Sequence, residues 1–183
     1  MTNVFWNNSD LLVFATEMER DAVFPNGIVT GIGILSTAIN LPKVFVGATQ
    51  RGCPYKRAIQ IGIAGAYRSS GLNIGDVVEV ESDCMPEFLP WEPHTFFATD
   101  SLGLKRVKGA TVLSCTKTEE VGAARGQDFQ IETMEGAAFF AVCKEYGVQA
   151  IQVRAISNFA GFYDKSKWEI ERALKELSSA IVR

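Results

Sequence analysis

Several carboxylates, an arginine and an asparagine stand at positions where a folded chain could use them for chemistry. They are Glu17, Glu19, Glu132, Glu135, Arg154 and Asn158. The first two directly follow an apolar run, the next two flank Met134 near a predicted helix start, and the last two lie at the end of another apolar run. Because open α/β sheets bind ligands beyond the carboxyl ends of their strands, these residues are placed to meet a small molecule.

Each glutamate also has an ordinary structural explanation. A carboxylate at the start of a helix complements the helix dipole, and position alone favours that explanation. The combination of carboxylates, an arginine and an amide, without histidines, instead favours binding and cleavage of a polar, hydroxyl-rich small molecule. Arg154 and Asn158 stand four residues apart in VRAISNFAG, which raises the question of why the second is an amide and not an acid.

Other kinds of site are poorly supported. His94 is the only histidine, which excludes a multi-histidine metal site, and the four cysteines are scattered without a C-x-x-C pair. The run GIGILS (31–36) only approaches a dinucleotide-binding motif, and no acidic residue follows about 20 positions later. P-loop and hydrolase-elbow motifs are absent from the sequence. Gly62, Gly65 and Gly75 either let backbone approach a ligand or simply turn the chain.

Composition places the chain among ordinary globular proteins. It has 183 residues, of which 47% are apolar and 21% charged, and its net charge is −3. Nucleic acid is an improbable partner because no basic block is present. No apolar run approaches the ~20 residues of a membrane-spanning helix, and the N-terminus lacks signal-peptide features. We therefore expect a cytoplasmic protein that forms one domain over residues 1–183.

Predicted strands alternate with predicted helices. The strands are LLVFA (11–15), GIVTGI (27–32), AIQIGIAG (58–65), DVVEVE (76–81), ATVLS (110–114) and VQAIQVRAIS (148–157). Residues 132–147 and 168–182 predict helices, the second amphipathic. Residues 41–49 fit either a strand or a helix, and 85–103 predict a long loop rich in aromatic residues. This alternation predicts an α/β fold of three layers, with helices on both faces of a central sheet.

Six segments resemble one family, the purine nucleoside phosphorylase/nucleosidase superfamily. The segments are FATEMERDAV (14–23), TGIGILSTA (30–38), IGIAGAY (61–67), IGDVVEVESD (74–83), ETMEGAAFFAVCKEYGV (132–148) and QVRAISNFAG (152–161). The nearest branch is that of methylthioadenosine/S-adenosylhomocysteine nucleosidases, and within it the futalosine hydrolases. The resemblance implies a twisted mixed sheet, partly closed like a barrel, in an enzyme that cuts N-ribosidic bonds without a metal or organic cofactor.

The resemblance also implies a role for each matching residue. Glu19 matches the glutamate that activates the attacking water, and Arg154 the arginine near that water. Met134 and Glu135 match the pair that holds the ribose, with the carboxylate on the 2′- and 3′-hydroxyls. A separate group lines the sugar and base; its members are Ile63, Ala64 and Gly65.

Two positions depart from the superfamily pattern. Asn158 falls where adenine-cleaving nucleosidases carry an aspartate, and its amide suits the O6 and N7 of a 6-oxopurine such as hypoxanthine. Ile63 replaces a small hydroxyl residue and offers no hydrogen bond to phosphate, which favours hydrolysis over phosphorolysis. The expected reaction is hydrolysis of futalosine to hypoxanthine and dehypoxanthinylfutalosine, a step of menaquinone biosynthesis.

Alternatives remain at this stage. The chain could be a methylthioadenosine/S-adenosylhomocysteine nucleosidase, or a catalytically silent nucleoside-binding protein. The sequence does not decide which residues would bind the 5′ tail of futalosine. The aromatic candidates are Phe88, Trp91, Phe96 and Phe97, and the basic candidates are Arg51 and Lys56. The family implies a homodimer or a higher homo-oligomer.

Overall fold

A closed ring of five strands forms the centre of the structure. The computed structural model describes residues 6–7, 9–47, 53–87 and 95–181. The strands are β1 (Asp10–Phe14), β2 (Ile28–Val29), β3 (Arg57–Ala66), β4 (Val77–Cys84), β5 (Thr95–Phe97), β6 (Lys105–Thr111), β7 (Ile131–Thr133) and β8 (Gln149–Phe159). Around the ring, β3 pairs with β7, β7 with β6, β6 with β4, β4 with β8, and β8 again with β3. The predicted mixed, partly barrel-like sheet is therefore confirmed.

The parallel pair of β3 and β8 is the longest in the sheet and lies at its middle. Nearly every residue of both strands is buried, as expected for parallel strands covered on both faces. Their register places Gln60 opposite Gln152, and Gly62 opposite Arg154. Polar side chains that the sequence scatters along two strands are thus brought together inside the ring.

Helices cover both sides of the sheet and complete three layers. They are α1 (Glu17–Val23), α2 (Ile34–Gly47), α3 (Glu119–Arg125), α4 (Gly136–Glu145) and α5 (Ile170–Ile181). On one side, α5 packs its apolar face against odd-numbered residues of β3 and β8, with α1 beside it. On the other side, α2 and α4 pack together over the second apolar cluster. The amphipathic character predicted for the C-terminal helix is confirmed.

Local structure decides one assignment that the sequence left open and differs from other predicted bounds. The ambiguous segment after residue 41 continues α2 through Pro42 to Gly47. Residues 131–133 form strand β7, and not the first turn of a helix, because they are inserted between β3 and β6. The strand predicted at 110–114 begins earlier, at Lys105, where pairing with β4 outweighs its polar composition.

The predicted long loop contains regular structure as well. Within 85–103, Thr95–Phe97 forms β5, antiparallel to β4. The run GIGILS turns into α2, and Gly31 and Gly33 adopt positive φ there. Gly75 also has positive φ, so it turns the chain, whereas Gly62 and Gly65 lie within β3.

Candidate active site

A cavity of about 160 Å³ opens where β1, β3 and β8 end and β7 passes into α4. All predicted site residues except Arg154 line it: Glu19, Ile63, Ala64, Gly65, Met134, Glu135 and Asn158. Residues from separate segments of the sequence therefore meet in one small space. The arrangement agrees with ligand binding at the carboxyl ends of sheet strands.

The first turn of α1 fixes the carboxylate of Glu19. Thr16 caps the helix and Glu19 stands three residues later, which forms a capping box. Glu19 Oε2 accepts hydrogen bonds from Thr16 N at 3.0 Å and from Thr16 Oγ1 at 2.9 Å. Glu19 Oε1 accepts from Ile63 N at 3.0 Å. The carboxylate is thus tied to both α1 and β3, and it reaches the cavity from a rigid position.

Arg154 lies behind the cavity wall with only 1% of its surface exposed. Its Nη2 donates to Gln60 Oε1 at 2.9 Å and stands 3.6 Å from Glu135 Oε2. A Cβ on Gly62 would lie 2.5 Å from Glu19 Oε1 and 2.7 Å from Arg154 Nη1. The absence of a side chain at Gly62 therefore lets Glu19 and Arg154 approach each other, and the close-approach explanation of this glycine fits the structure.

Glu135 closes the side of the cavity next to α4. Its backbone caps α4, but its side chain turns away and Oε1 accepts from Gly33 N at 2.9 Å. Burial raises the pKa of the Glu135 carboxyl, while the charge of Arg154 and the bond from Gly33 oppose that rise. A ligand with two neighbouring hydroxyls could donate to this carboxylate, whose other oxygen faces Arg154.

The amide of Asn158 has a fixed orientation. Ser157 Oγ donates to Asn158 Oδ1 at 2.8 Å, so the amide oxygen already has a partner. Asn158 Nδ2 approaches Gly65, where a Cβ would stand 3.1 Å from it. The N–H group of this amide is therefore the part that remains for a ligand, and it can donate a hydrogen bond to a carbonyl oxygen or a ring nitrogen.

Glu132 forms a second buried carboxylate on the other side of Gly65. Thr116 donates to it twice, from N to Oε1 at 3.0 Å and from Oγ1 to Oε2. The hydroxyl of Tyr67 donates to Oε2 at 3.1 Å. These donors hold the Glu132 carboxylate in place. From the sequence, Glu132 is a candidate carboxylate without an assigned role, because Thr116 and Tyr67 come to it from distant segments.

Part of the cavity lining is apolar. Met18, Ile32, Trp168 and Ile170 belong to it, and the buried Nε1 of Trp168 has no hydrogen-bond partner among the described residues. Of the aromatic tail candidates, Phe96 packs against the core and Phe97 is exposed, and the cavity lining includes neither.

The other tail candidates lie elsewhere. Lys56 is exposed just before β3, at the opposite end of that strand from the cavity. Phe88, Trp91 and Arg51 fall outside the described residues, as does His94. The role of Phe88, Trp91 and Arg51 in binding a ligand tail stays a prediction, and Trp168 is an aromatic residue of the described structure that lines the cavity.

Comparison with known proteins agrees with this geometry. The sequence model of the phosphorylase superfamily matches residues 107–183. A futalosine hydrolase of Thermus thermophilus is 34% identical over 181 residues, covering 84% of this chain and 78% of the relative. The chain belongs to the futalosine hydrolase family of the phosphorylase superfamily. The family resemblance drawn from six sequence segments is thereby confirmed.

Solved structures show the same fold. The native futalosine hydrolase of Helicobacter pylori superposes with a TM-score of 0.77 at 15% identity, covering 93% of this chain and 94% of that one. A 5′-methylthioadenosine/S-adenosylhomocysteine nucleosidase of the same organism gives a TM-score of 0.78 at 15% identity, with the same coverage. At such identity the likeness establishes the fold, while the choice between the two activities depends on particular side chains.

The capping box at α1 gives a first prediction. Thr16→Ala should lower the free energy of unfolding by about 1 kcal/mol, because it removes a helix cap and one donor to Glu19. Thr16→Ser keeps the hydroxyl and should stay close to the wild type. Urea unfolding of the three proteins measures the difference. Equal stability of the alanine and serine variants would show that the box contributes nothing.

Proposed function

We propose that the protein hydrolyses the N-ribosidic bond of futalosine, releasing hypoxanthine and dehypoxanthinylfutalosine in menaquinone biosynthesis. The observation that carries the proposal is the amide of Asn158, which offers an N–H donor to the cavity while two carboxylates stand at its other wall. Membership of the futalosine hydrolase family supports the same substrate. The protein is thus proposed to be a hydrolase of N-glycosyl compounds.

Glu19 and Glu135, the two carboxylates near Arg154, act on the sugar in the proposed reaction. Breaking the bond between C1′ and N9 leaves an oxocarbenium-like sugar, which nearby negative charge stabilises. Glu19 deprotonates the attacking water, and its bonds to Thr16 and Ile63 hold it in place for that task. Glu135 accepts the ribose hydroxyls beside Met134, and hydrogen bonds to the 2′-hydroxyl strengthen as the bond breaks.

The base end suits a 6-oxopurine. Asn158 Nδ2 donates to O6 or N7, where charge builds as the base leaves. Glu132 stands across Gly65 and can accept a proton donor, which N1–H of hypoxanthine provides. Adenine carries a bare acceptor at N1, so a carboxylate there would repel it. Two side chains therefore favour the oxo base over the amino base.

Water is the proposed acceptor of the sugar. Ile63 presents an apolar side chain to the cavity, and its N–H already donates to Glu19. The apolar part of the lining around Trp168 gives the aromatic tail of futalosine a surface to pack against. These features favour hydrolysis of a nucleoside with a large 5′ substituent.

Base release from three nucleosides tests this function. Futalosine, inosine and methylthioadenosine are each incubated with the protein, with and without phosphate, and the products are separated by chromatography. We expect hypoxanthine from futalosine without phosphate, and no release by a folded Glu19→Ala variant. Adenine from methylthioadenosine would favour the nucleosidase alternative, and no base from any substrate would favour a silent nucleoside-binding protein.

The amide at position 158 gives a prediction of its own. Asn158→Asp should lower turnover of futalosine by at least about tenfold, since one good hydrogen bond to the leaving base is worth roughly 10²–10³ in such sites. Turnover of the 6-amino analogue should rise relative to futalosine, because a protonated aspartic acid can donate to N7. An unchanged ratio of hypoxanthine to adenine release would contradict this role.

Homo-oligomer formation is proposed through one face of α2. What we call the α2 face consists of three side chains of α2 and one that lies just before the helix, all apolar and 56–75% exposed: Leu35, Ile39 and Val46, and Ile32. Ile32 also lines the cavity, so a second copy seated on the α2 face would stand at the cavity's edge. An exposed apolar face of this kind is typical of protein–protein contacts.

Leu35→Asp tests that contact. It should shift the protein toward the monomer in sedimentation or light-scattering measurements, because a carboxylate would be buried in an apolar interface. Ser179→Asp makes the same charge change on the exposed surface of α5 and serves as the control. A wild-type protein that is monomeric at every concentration, or a Leu35→Asp variant with unchanged mass, would rule out the α2 face.

Location and domain organisation stay as predictions. Among the described residues, no helix is both long enough and apolar enough to cross a membrane. All four cysteines are unpaired, which supports a reducing compartment such as the cytoplasm. The single-domain description of residues 1–183 likewise stays a prediction.

A further inference from the structure

Asp83 on β4 is a fully buried carboxylate that the proposed mechanism does not use. It lies inside the strand ring and accepts from Thr111 Oγ1 at 2.6 Å, from Thr133 Oγ1 at 3.2 Å and from Gln152 Nε2 at 3.3 Å. Burial raises its pKa to about 6, and those hydrogen bonds with the charge of Arg154 oppose the rise. Burying a carboxylate away from water is energetically unfavourable, so its presence here needs an explanation.

The backbone around Asp83 leaves space for the carboxylate. A Cβ on Gly136 would stand 2.0 Å from Asp83 Oδ2, and a Cβ on Gly109 would stand 2.8 Å from it. Both distances are shorter than any ordinary contact, so the two glycines keep room for the acid. The helix α4 begins at Gly136, immediately after Met134 and Glu135, the proposed ribose-binding pair.

Gln152 connects Asp83 to Arg154. Its amide donates through Nε2 to Asp83, and its Oε1 accepts from Arg154 Nε at 2.8 Å. An amide has a donor at one end and an acceptor at the other, so an acceptor at position 83 forces the oxygen of Gln152 to face the guanidinium. The orientation of Gln152, and with it the position of Arg154, therefore depends on Asp83.

Asp83 also reaches the start of α4 by a second route. The hydroxyls of Thr111 and Thr133 donate to Asp83 and accept from Ala137 N at 2.8 Å and Gly136 N at 3.2 Å. The same carboxylate thus orders the first turn of the helix that follows Glu135. Asp83 is therefore linked both to Arg154, the guanidinium next to the Glu135 carboxylate, and to the backbone that follows Glu135.

We propose that Asp83 is a positioning residue, which through Gln152, Thr111 and Thr133 holds Arg154 and Glu135 in the geometry needed for ribose binding in the transition state. The substrate in this proposal is taken from the proposed function. The relay, by which we mean the hydrogen bonds that link Asp83 through Gln152 to Arg154, does not depend on it. An amide at position 83 keeps one acceptor oxygen but can put its NH₂ group where Oδ2 of Asp83 accepts from Gln152. Gln152 then turns its oxygen toward that donor and its own NH₂ group toward the Nε–H of Arg154. Two donors then face each other inside the ring, and Arg154 moves away from Glu135.

The test is a pair of single variants and their combination. Asp83→Asn should lower kcat for base release by about 10- to 100-fold, the range known for outer-shell partners that orient functional groups, with a smaller change in KM. Gln152→Glu should be impaired because it buries two carboxylates side by side. The double variant restores the relay and should recover most of the lost turnover. In it, the carboxylate introduced at position 152 can accept both from the amide introduced at position 83 and from Arg154 Nε.

Rescue at position 152 distinguishes positioning from a general structural role. An acid needed only for packing or folding would not be replaced by an acid on another strand. A folded double variant no more active than Asp83→Asn would overturn the proposal, and so would an Asp83→Asn variant with wild-type kcat. If Asp83→Asn fails to fold, the test depends on the double variant. Turnover near that of the wild type would support the relay, and a folded but inactive double variant would refute it.

A second readout separates this proposal from the proposed function. Nitrogen-15 NMR of labelled arginine follows the Nε–H of Arg154 without any substrate. We expect a shifted or rapidly exchanging signal in Asp83→Asn and a wild-type-like signal in the double variant. An Nε–H signal identical in all variants would refute the relay even in a protein that cleaves futalosine. If the wild type cleaves another nucleoside, the same variants are compared with that substrate.

Discussion

The buried guanidinium of Arg154 is the group on which the arrangement of the site depends. A positive charge with 1% exposure is stable only when its donors are satisfied and its charge is balanced. Gln152 and Gln60 accept from it, the carbonyl of Ile63 lies 3.5 Å from Nη1, and Glu135 supplies the nearest negative charge. The carboxylate of Glu135 therefore lines the cavity in a fixed orientation, whereas the guanidinium of Arg154 that orients it is buried and does not line the cavity.

Closure of the strand ring makes this arrangement possible. Only three residues form β7, yet they pair with β3 on one side and β6 on the other. Glu132 consequently sits within the sheet, and Met134 and Glu135 follow at once in the turn into α4. A short central strand that passes directly into a helix thus places two carboxylates, Glu132 and Glu135, in the cavity lining.

The sequence could predict the fold class and seven of the residues that line the cavity, because motif residues and strand ends coincide. It could not predict β7, since three residues before a strong helix pattern carry no strand signal of their own and the pairing partners are distant in sequence. Asp83 lay within a recognised segment, but its role depends on contacts with three other strands. The place of Arg154 near the attacking water, which the family resemblance implies, stays a prediction; the structure adds that this side chain is buried, with Nη2 3.6 Å from Glu135 Oε2.

The question of why position 158 carries an amide has an answer in its neighbours. An aspartate there would stand across Gly65 from Glu132, and two carboxylates so close cannot both ionise at low cost. One would take up a proton, which suits a base that must be protonated at N7. An amide avoids the conflict and keeps an N–H donor beside Glu132, which accepts from Tyr67 and Thr116. In the proposed function, this pair of donor and acceptor is complementary to the O6 and N1–H of a 6-oxopurine, so the residue at position 158 would decide which base Glu132 can accept from.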